Sequence, residues 1–526
     1  MVPGRGVMNG PVDVLVAGAG PVGLTLALQA HALGASVRVV ERRPWLSRPS
    51  RALIVHPRTL EVLRPLGVVD AILAGADTAP RASLHAGTVV VPAHLADLGL
   101  DDTRYPHLTL VRQAHLEAVL AAALAGRGVA VEHGTELVDG GPGTGDGPAA
   151  VLCAAGENSQ VRCRAIAGCD GRASTVRRLA GLARRETGYR QEILLADVTL
   201  SGDLPPGLVH VHAGRYGLSF LFPLGERAPW RLLTTRPVSG PLGAEARVGP
   251  PPDRAELQAL LDRSQIPVRV TAVAWSTRLR LRHGVARTYR NGPLFLAGDA
   301  AHVHSPAGGL GMNIGIQDAI NLGWKLALEP YSSQPDDLLD SYTDERRPAA
   351  LRARRLTNLI FRAESGTDPV SGFVRGVLLP LGAPLIPAVL RRRRLISGAV
   401  RMLGQLDLSY RAGSLSRAAP HRPGAPMPGD RLPEQPVTVD GTPMRLHELT
   451  AVPGVHLLLD RDAPAVTADR GTVHVRRLSG TPGQGLLVVR PDGHVGASAE
   501  RADDPALIAW LAAIGVRAVI QGPDPA

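Results

Sequence analysis

A glycine-rich motif near the start of the chain limits the fold more than any other feature of the sequence. It consists of Gly18, Ala19, Gly20, Pro21, Val22 and Gly23. The apolar run at 12–16 directly before it predicts a buried strand, and the run at 24–33 after it predicts a helix. A second apolar run at 37–40 predicts another strand. Strand, helix and strand at this spacing form a parallel unit, so this part of the chain is expected to contain an open parallel sheet.

Each glycine of this motif has a mechanical role in holding a dinucleotide. Gly18 permits the tight turn, Gly20 lets a pyrophosphate approach the backbone, and Gly23 lets the helix pack closely on the strand. The first turn of the helix offers free N–H groups and a partial positive charge to the phosphates. Glu41 follows the second strand, where its carboxylate can accept hydrogen bonds from ribose hydroxyls. Together these features predict a dinucleotide site without distinguishing NAD from FAD.

A second motif, around Asp299, indicates a flavin. The apolar run at 293–297 predicts a strand, and Gly298 lets a ligand come close to the backbone before Asp299. The carboxylate of Asp299 can accept a hydrogen bond from a sugar-alcohol chain. The following segment, 306–313, leads into a long predicted helix at 312–328. Amides at the start of that helix can point at a ring that becomes negative on reduction, as a flavin requires.

On these motifs the chain resembles the single-component FAD-dependent aromatic monooxygenases, the family of p-hydroxybenzoate and phenol hydroxylases. Its nearest likeness there is to bacterial hydroxylases that tailor aromatic polyketides. The resemblance runs through most of residues 12–350 and includes the pair Asp170-Gly171, which the family ties to the FAD pyrophosphate and to NAD(P)H. It implies a non-covalent FAD held by residues from both motifs and from the segments between them. The predicted FAD contacts are Gly18, Gly20, Pro21, Val22, Gly23, Glu41, Arg42, Arg51, Arg112, Gln113, Leu137, Asp170, Asp299, Pro306, Gly311, Met312 and Asn313.

The resemblance and the hydrophobic pattern together predict an α/β protein. A Rossmann-like FAD-binding domain is predicted for residues 1–190 and resumes, with a helical segment, at 288–418. Residues 191–287, with β-branched and aromatic runs, are predicted to form an inserted antiparallel β-sheet that binds substrate. A linker rich in Pro, Gly and Arg at 419–433 leads to residues 434–526, which resemble the thioredoxin-like tail of the same subgroup. Because this tail contains no cysteine, a structural role is predicted for it.

The resemblance implies that NAD(P)H reduces the flavin, that O₂ adds to give a flavin hydroperoxide, and that one oxygen passes to an electron-rich substrate. Only one dinucleotide motif is present, so NAD(P)H is expected to bind transiently. The expected substrate is a polycyclic aromatic polyketide bound against the inserted sheet. Candidate substrate contacts, each with ordinary sheet packing as the alternative, are Arg215, Tyr216, Phe220, Phe222 and Trp230. No residue spacing singles out a catalytic base.

Composition and charge argue against several other classes of protein. The net charge of +11 invites a nucleic-acid hypothesis, but the basic residues are spread along the chain without a nucleic-acid-binding motif. The most apolar segment, 376–390, is short and contains three prolines, so no membrane-spanning helix is predicted. The three cysteines, all within 153–169, form no C-x-x-C pair, which favours a reducing, cytoplasmic location. His302 and His304 have no third ligand in view, so no metal site is predicted.

Three functional hypotheses stay open at this level. The first is hydroxylation of an aromatic natural product. The second is ring-opening oxygen insertion of the Baeyer–Villiger kind, or hydroxylation that inactivates an antibiotic, because the motifs fix the cofactor and not the acceptor. The third is a flavin-binding assembly or regulatory protein without oxygenase activity, with which the cysteine-free tail is compatible. A homodimer is also left open.

Overall fold

The computed structural model describes residues 11–44, 54–86, 89–94, 98–141, 149–214, 217–224, 229–238, 249–366, 369–382, 384 and 393–520. The strands are β1 Val12–Ala17, β2 Val37–Glu41, β3 Ile54–Val55, β4 Arg81–Ala86, β5 Val89–His94, β6 Thr109–Leu110, β7 Val131–His133, β8 Thr135–Gly141, β9 Ala149–Ala154, β10 Glu157–Gly168, β11 Thr187–Gly202, β12 Val209–Gly214, β13 Gly217–Pro223, β14 Trp230–Pro237, β15 Val268–Val285, β16 Arg290–Asn291, β17 Leu294–Leu296, β18 His302–Val303, β19 Pro436–Val439, β20 Thr442–Arg445, β21 Val455–Asp460, β22 Val466–Ala468, β23 Val473–Leu478, β24 Leu486–Val489, β25 Val495–Ala499 and β26 Ala518–Ile520. The α-helices are α1 Pro21–Ala32, α2 Pro57–Leu63, α3 Val69–Ala74, α4 Gln113–Ala125, α5 Thr175–Leu179, α6 Arg254–Arg263, α7 Leu310–Leu328, α8 Pro335–Ser365, α9 Pro369–Phe373, α10 Leu379–Gly382, α11 Arg393–Leu403, α12 Ser414–Arg417, α13 Leu446–Leu449 and α14 Pro505–Ala513.

The first sheet contains the strands that were predicted around the two motifs. Its main order is β16-β17-β10-β1-β2-β7, and β1 pairs in parallel with both β2 and β10. Strand β10 also pairs in parallel with β17, so the carboxyl ends of β1 and β17 meet at the same edge. These strands are almost continuously buried because helices, including α1 packed against α7, cover the sheet. The predicted mixed α/β class is confirmed, and the strands expected at 12–16, 37–40 and 293–297 are observed within one residue at either end.

The second sheet has the order β18-β15-β11-β14-β13-β12-β4-β5. Its pairs are antiparallel except for β12 with β4, and the long strands β11 and β15 pair along most of their length. Most of these strands lie in the segment predicted to form an antiparallel sheet, but β4 and β5 come from a part of the chain about a hundred residues earlier. One face packs on α6 through Leu221, Leu232 and Leu257, and the other face lines a cavity.

The third sheet lies in the tail and has the order β20-β19-β23-β21-β24-β25. The tail contacts the rest of the chain through a buried group of charged and polar side chains. Arg490 donates from both terminal nitrogens to the two carboxylate oxygens of Glu345, each at 2.7 Å. Lys325 Nζ donates to the same carboxylate at 2.8 Å, and Asn321 Nδ2 donates to Asp492 at 2.9 Å. All five side chains are buried, so the charged groups have lost their contact with water and are stabilised by one another instead.

A second buried ionic group holds the segment predicted to be a linker. Residues 419–433 contain no helix or multi-residue strand, yet Arg431 is buried and donates to both carboxylate oxygens of Glu61, at 2.8 and 2.7 Å. Arg58 donates to Glu61 as well, at 3.0 Å. Burial alone would raise the pKa of Glu61, but the Arg431 and Arg58 guanidiniums hold it far below its usual range. The tail and the segment 419–433 before it are therefore each held to the rest of the chain by buried ion pairs.

Within the described ranges, none of the helices combines the length and the apolar character that crossing a bilayer requires.

Candidate active site

A cavity of about 660 Å³ is lined by residues of the first and second sheets and of α8. Its volume lies within the range of small-molecule and cofactor sites. The glycine motif and the segments that follow β2 and β17 form one end, and the second sheet forms the other. Glu41 and Asp299, one from each sequence motif, both line this cavity. The two motifs therefore converge on one continuous space.

The glycine motif forms a loop that has no room for side chains on its inner side. Gly18 has a φ of +101°, and a Cβ there would lie 2.5 Å from the carbonyl oxygen of Cys169. A Cβ on Gly23 would lie only 1.9 Å from the carbonyl oxygen of Gly18. A Cβ on Gly20, in contrast, would meet no atom within 4 Å, so open space adjoins the first turn of α1. Gly18, Gly20, Pro21 and Val22 line the cavity, whereas Gly23 provides the close packing beneath it. This arrangement fits a pyrophosphate at a helix N-terminus.

Glu41 holds the glycine loop at the carboxyl end of β2. Its Oε2 accepts from the Ala19 N–H at 3.0 Å, and its Oε1 accepts from the backbone N–H and the Nε of Arg43, at 3.0 and 2.7 Å. Burial raises the pKa of Glu41, but the hydrogen bonds from Arg43 and Ala19 outweigh that effect and hold the pKa below its usual value. Glu41 is thus an ionised acceptor in a fixed position. Arg42, one of the predicted FAD contacts, lines the cavity, and so does Arg43, which was not predicted.

Asp170 lines the cavity and accepts hydrogen bonds from the first turn of the short helix α5. Its Oδ2 accepts from the N–H groups of Thr175 and Val176, at 2.7 and 3.2 Å. Its Oδ1 is buried and has no hydrogen-bond partner among the described residues. A buried carboxylate oxygen without a partner costs free energy unless a bound group satisfies it.

The other predicted contacts from this part of the chain separate into two groups. Gln113 and Leu137 line the cavity, and Gln113 Nε2 donates to Glu117 at 2.8 Å. Arg112 is not among the lining residues, and its guanidinium donates to the carbonyl of Leu224. Arg51 lies outside the described residues.

The segment after β17 forms the part of the cavity predicted to hold the flavin. Gly298 has a φ of +60°, and a Cβ there would lie 2.9 Å from the Val22 side chain. Asp299 is exposed to the cavity, and Pro306, Gly311 and Met312 also line it. Gly308, with a φ of +72°, lets the chain turn directly into the buried helix α7.

Asn313 does not line the cavity, because its side chain is engaged in holding neighbouring backbone. Its Oδ1 accepts from the His56 N–H at 2.9 Å and from the Thr59 hydroxyl at 2.7 Å. Its Nδ2 donates to the carbonyls of Gly309 and Ile54, at 2.7 and 3.0 Å. The observed function of this side chain is therefore to fix the segment 54–59 against α7.

The second sheet gives the other end of the cavity an apolar wall. Phe220 and Phe222 of β13, two of the predicted substrate contacts, line this end, with their rings nearly parallel and their centroids 6.0 Å apart. The remaining apolar lining residues at this end are Ile193, Leu195, Leu218, Leu233, Leu279, Leu281 and Phe361. Such a wall suits a flat hydrophobic ring system.

The prediction that Trp230 contacts substrate is wrong. Trp230 is 6% exposed and packs with Leu221 and Leu232 on the opposite face of the sheet. Side chains alternate along a strand, so the next residue, Arg231, faces the cavity. Arg231 donates two hydrogen bonds to Asp197, at 2.7 and 2.8 Å. The other two predicted contacts, Arg215 and Tyr216, lie outside the described residues.

Glu364 enters the cavity from α8, one turn after Phe361, and sequence reasoning missed it. Its carboxylate has no hydrogen-bond or ion-pair partner in the described part of the chain. Burial raises the pKa of Glu364 to about 7. The signal available in the sequence was weak, because one glutamate three residues after an apolar position is ordinary in an amphipathic helix.

Comparison with known proteins identifies the family. Residues 11–357, more than half of the chain, match the family model of the FAD binding domain. The 6-methylpretetramide 4-monooxygenase of Streptomyces rimosus is 35% identical over 96% of this chain and 94% of its own. A rifampicin monooxygenase of Streptomyces venezuelae is 31% identical over 92% of this chain and 94% of its own. Among solved structures, anhydrotetracycline hydroxylase from Streptomyces rimosus has a TM-score of 0.74 at 27% identity, covering 96% of this chain and 99% of that one.

The chain therefore belongs to the FAD-binding domain family of flavoproteins. It is an FAD-dependent monooxygenase, as the resemblance implied, and FAD is its cofactor. The cavity fits this cofactor in three respects: its volume, the open space beside Gly20, and the unsatisfied Oδ1 of Asp170.

Proposed function

We propose that this enzyme hydroxylates a polycyclic aromatic polyketide, with NAD(P)H as electron donor and O₂ as the source of oxygen. One observation carries the proposal: a single cavity joins the residues of both FAD motifs to the apolar wall around Phe220 and Phe222. A dinucleotide fits the glycine-rich end, and a flat ring system fits the other. The names of the relatives, which include monooxygenases of 6-methylpretetramide and anhydrotetracycline, support this substrate class.

The proposed FAD-binding residues are the predicted ones that line the cavity. They are Gly18, Gly20, Pro21, Val22, Glu41, Arg42, Gln113, Leu137, Asp170, Asp299, Pro306, Gly311 and Met312. The first turn of α1 would hold the pyrophosphate, and Asp299 would accept from the sugar-alcohol chain. Amides at the start of α7 favour negative charge beside them. When bound, FAD supplies the redox and oxygen-activating chemistry, and the protein supplies position and exclusion of water.

Glu364 has the position and the proton affinity of a general base for a phenolic substrate. A phenolate ring is richer in electrons than a phenol, and hydroxylation of an aromatic carbon needs that electron density. A carboxylate whose pKa is about 7 accepts a proton efficiently near neutral pH. Arg280 and Arg282 line the same cavity and add positive charge that favours a phenolate. We therefore assign to Glu364 the removal of the phenolic proton.

The test uses the FAD-loaded enzyme with NADH or NADPH, a panel of polycyclic phenols and isotopically labelled O₂. The expected result is substrate-stimulated NAD(P)H oxidation and a product that contains one labelled oxygen with its ring count unchanged. A product with an opened or expanded ring would show that the enzyme inserts oxygen into a ring and does not hydroxylate the substrate. NAD(P)H oxidation that no phenol stimulates, with no labelled product, would contradict the proposed substrate class.

A further inference from the structure

Three histidines meet on the second sheet, on the face turned away from the cavity. Strand β12 carries His210 and His212, and the neighbouring parallel strand β4 carries His85 opposite His212. His210 pairs across β12 and β13 with Leu221, which alternates with the cavity-lining Phe220. Because successive side chains point to opposite faces, the histidines lie on the side that packs with α6. None of the three lines the cavity, so they are separate from the FAD site.

The ring nitrogens of this cluster are spaced closely enough to share one ion. One nitrogen from each ring lies within 4.8 Å of the other two. His85 Nε2 and His210 Nδ1 are 3.0 Å apart, and the rings of His85 and His212 are stacked with their centroids 4.0 Å apart. With Zn–N distances of about 2.0–2.1 Å, nitrogen ligands around tetrahedral zinc are about 3.3 Å apart. Because imidazole lone pairs lie in the ring planes, the stacked rings of His85 and His212 must rotate relative to each other for both nitrogens to face one ion.

One hydrogen bond and one unpartnered ring nitrogen favour a ligand at the cluster. His210 Nε2 is 3.0 Å from the Pro205 carbonyl oxygen, and a proton on that nitrogen leaves the lone pair of Nδ1 facing the other histidines. A backbone carbonyl that holds the outer nitrogen is the usual support of a metal-binding imidazole. His212 is 6% exposed, and its Nε2 is buried without a hydrogen-bond partner in the described part of the chain. A metal ion would satisfy this nitrogen.

We propose that His85, His210 and His212 bind one divalent transition-metal ion, with Zn²⁺ as the expected ion. Three neutral imidazoles suit zinc, and His85 is partly exposed, which leaves a fourth position open to water. The ion would join β4 to β12 across 125 residues of sequence. Its role would be structural, because it would fix the edge of the sheet whose other face forms the substrate wall. This site departs from the absence of metal predicted from the sequence.

The experiment uses untagged, FAD-loaded enzyme that has been treated with a chelator and desalted. Co²⁺ is titrated while the visible absorption of tetrahedral cobalt is followed, and Zn²⁺ per chain is measured by elemental analysis after desalting. The expected result is one ion per chain, displacement of Co²⁺ by Zn²⁺, and a higher melting temperature with metal. Absence of stoichiometric binding by the wild-type enzyme would overturn the proposal.

Variants identify the ligands. His85→Ala is expected to lose at least about tenfold in metal affinity and to lose the metal-dependent rise in melting temperature. His85→Gln, which keeps a polar side chain, is expected to do the same. His31→Ala, at the end of α1 and outside the cluster, is the matched control and should bind metal like the wild type. FAD content confirms that each variant is folded, and metal binding retained by both His85 variants would also overturn the proposal.

Discussion

Replacing Glu364 with glutamine tests the assignment of the base directly. Glutamine has nearly the same size and shape, but it cannot accept a proton at neutral pH. In the folded protein, burial raises the pKa of Glu364 from 4.5 to about 7, and no described residue pairs with its carboxylate. The substitution therefore removes one titrating group from the cavity and leaves its packing in place.

The size of the kinetic effect follows from the role and from the pKa. A positioned general base contributes about 10²–10⁴ in rate, so Glu364→Gln is expected to lower kcat/KM for a phenolic substrate at least about 100-fold at pH 8. In the wild-type enzyme, kcat/KM should fall about tenfold per pH unit below about 7, as the carboxylate becomes protonated. The variant should lose this dependence on pH.

Stability provides an independent readout with a defined sign. The folded pKa of Glu364 lies above its unfolded value, so the folded state binds more protons between pH 4.5 and about 7. The free energy of unfolding therefore decreases as the pH rises through that window and is lowest above it. A shift from 4.5 to about 7 corresponds to at most about 3 kcal/mol. Glu364→Gln should be more stable than the wild type at pH 8, and the difference should shrink toward pH 5.

The assay combines steady-state kinetics from pH 5.5 to 8.5, bracketing the pKa of about 7, with thermal unfolding of the FAD-loaded protein at each pH. Glu500→Gln, at an exposed position in the tail, is the matched control and should change neither measurement. Wild-type-like kcat/KM in Glu364→Gln with the same fall below pH 7 would refute the role of the base. A stability difference that did not depend on pH would refute the raised pKa.

Four further substitutions, with Phe373→Ala as a control, test the cavity. Gly23→Ala places a Cβ 1.9 Å from a backbone oxygen, so it should lower the melting temperature and prevent FAD retention. Gly20→Ala meets no atom within 4 Å, so it should keep the fold and weaken only FAD binding. Similar melting temperatures for the two variants would contradict the geometry. Asp299→Ala should weaken FAD binding about 10–100-fold in a fluorescence titration, because a hydrogen bond to a charged group is lost, and an unchanged dissociation constant would remove Asp299 from the site. Phe222→Ala should raise KM for polycyclic phenols several-fold and leave FAD content unchanged, and Phe373→Ala, which is 55% exposed, should match the wild type in both respects.

The local part of this structure was predictable because it depends on few neighbouring residues. Gly18, Gly20 and Gly23 lie within six residues of one another, and their spacing alone indicates that the backbone of this loop approaches a dinucleotide pyrophosphate. The flanking strands are continuous apolar runs, which parallel sheets require. Glu41 and Asp299 were predicted to share one site although they are far apart in sequence, and both line the same cavity.

Pairing between distant segments was not predictable from local pattern. Strands β4 and β5 join the second sheet from a region about a hundred residues earlier in the chain. Nothing in the sequence of β4 indicates that it pairs with β12. The same limit explains the error at Trp230. The run at 230–235 predicts a strand, but the pattern does not reveal which alternate residues face the cavity, because this depends on how the strand pairs with β13.

The engagement of individual polar side chains also depends on tertiary structure. The resemblance implied a backbone contact between Asn313 and FAD, and it gave no sign that the Asn313 side chain makes four hydrogen bonds to the protein itself. Asp170 has one oxygen engaged in a helix cap and the other free for a ligand, a division that no motif reveals. Glu364 is a candidate base because α8 borders the cavity, and that packing cannot be predicted from the helix sequence alone.

The buried ion pairs between the tail and the rest of the chain stabilise the protein only when both partners of each pair are present. A chain shortened before the tail would leave Glu345 and Lys325 without Arg490, and a chain shortened before 419–433 would also leave Glu61 without Arg431, in buried positions that exclude water. Removing one partner of a buried ion pair costs about 3–5 kcal/mol, a large share of the stability of a whole domain. A tail exchanged with that of a relative would need the same guanidinium groups at the same places. The tail and the rest of this enzyme are therefore expected to unfold as one unit and to tolerate exchange only as a pair.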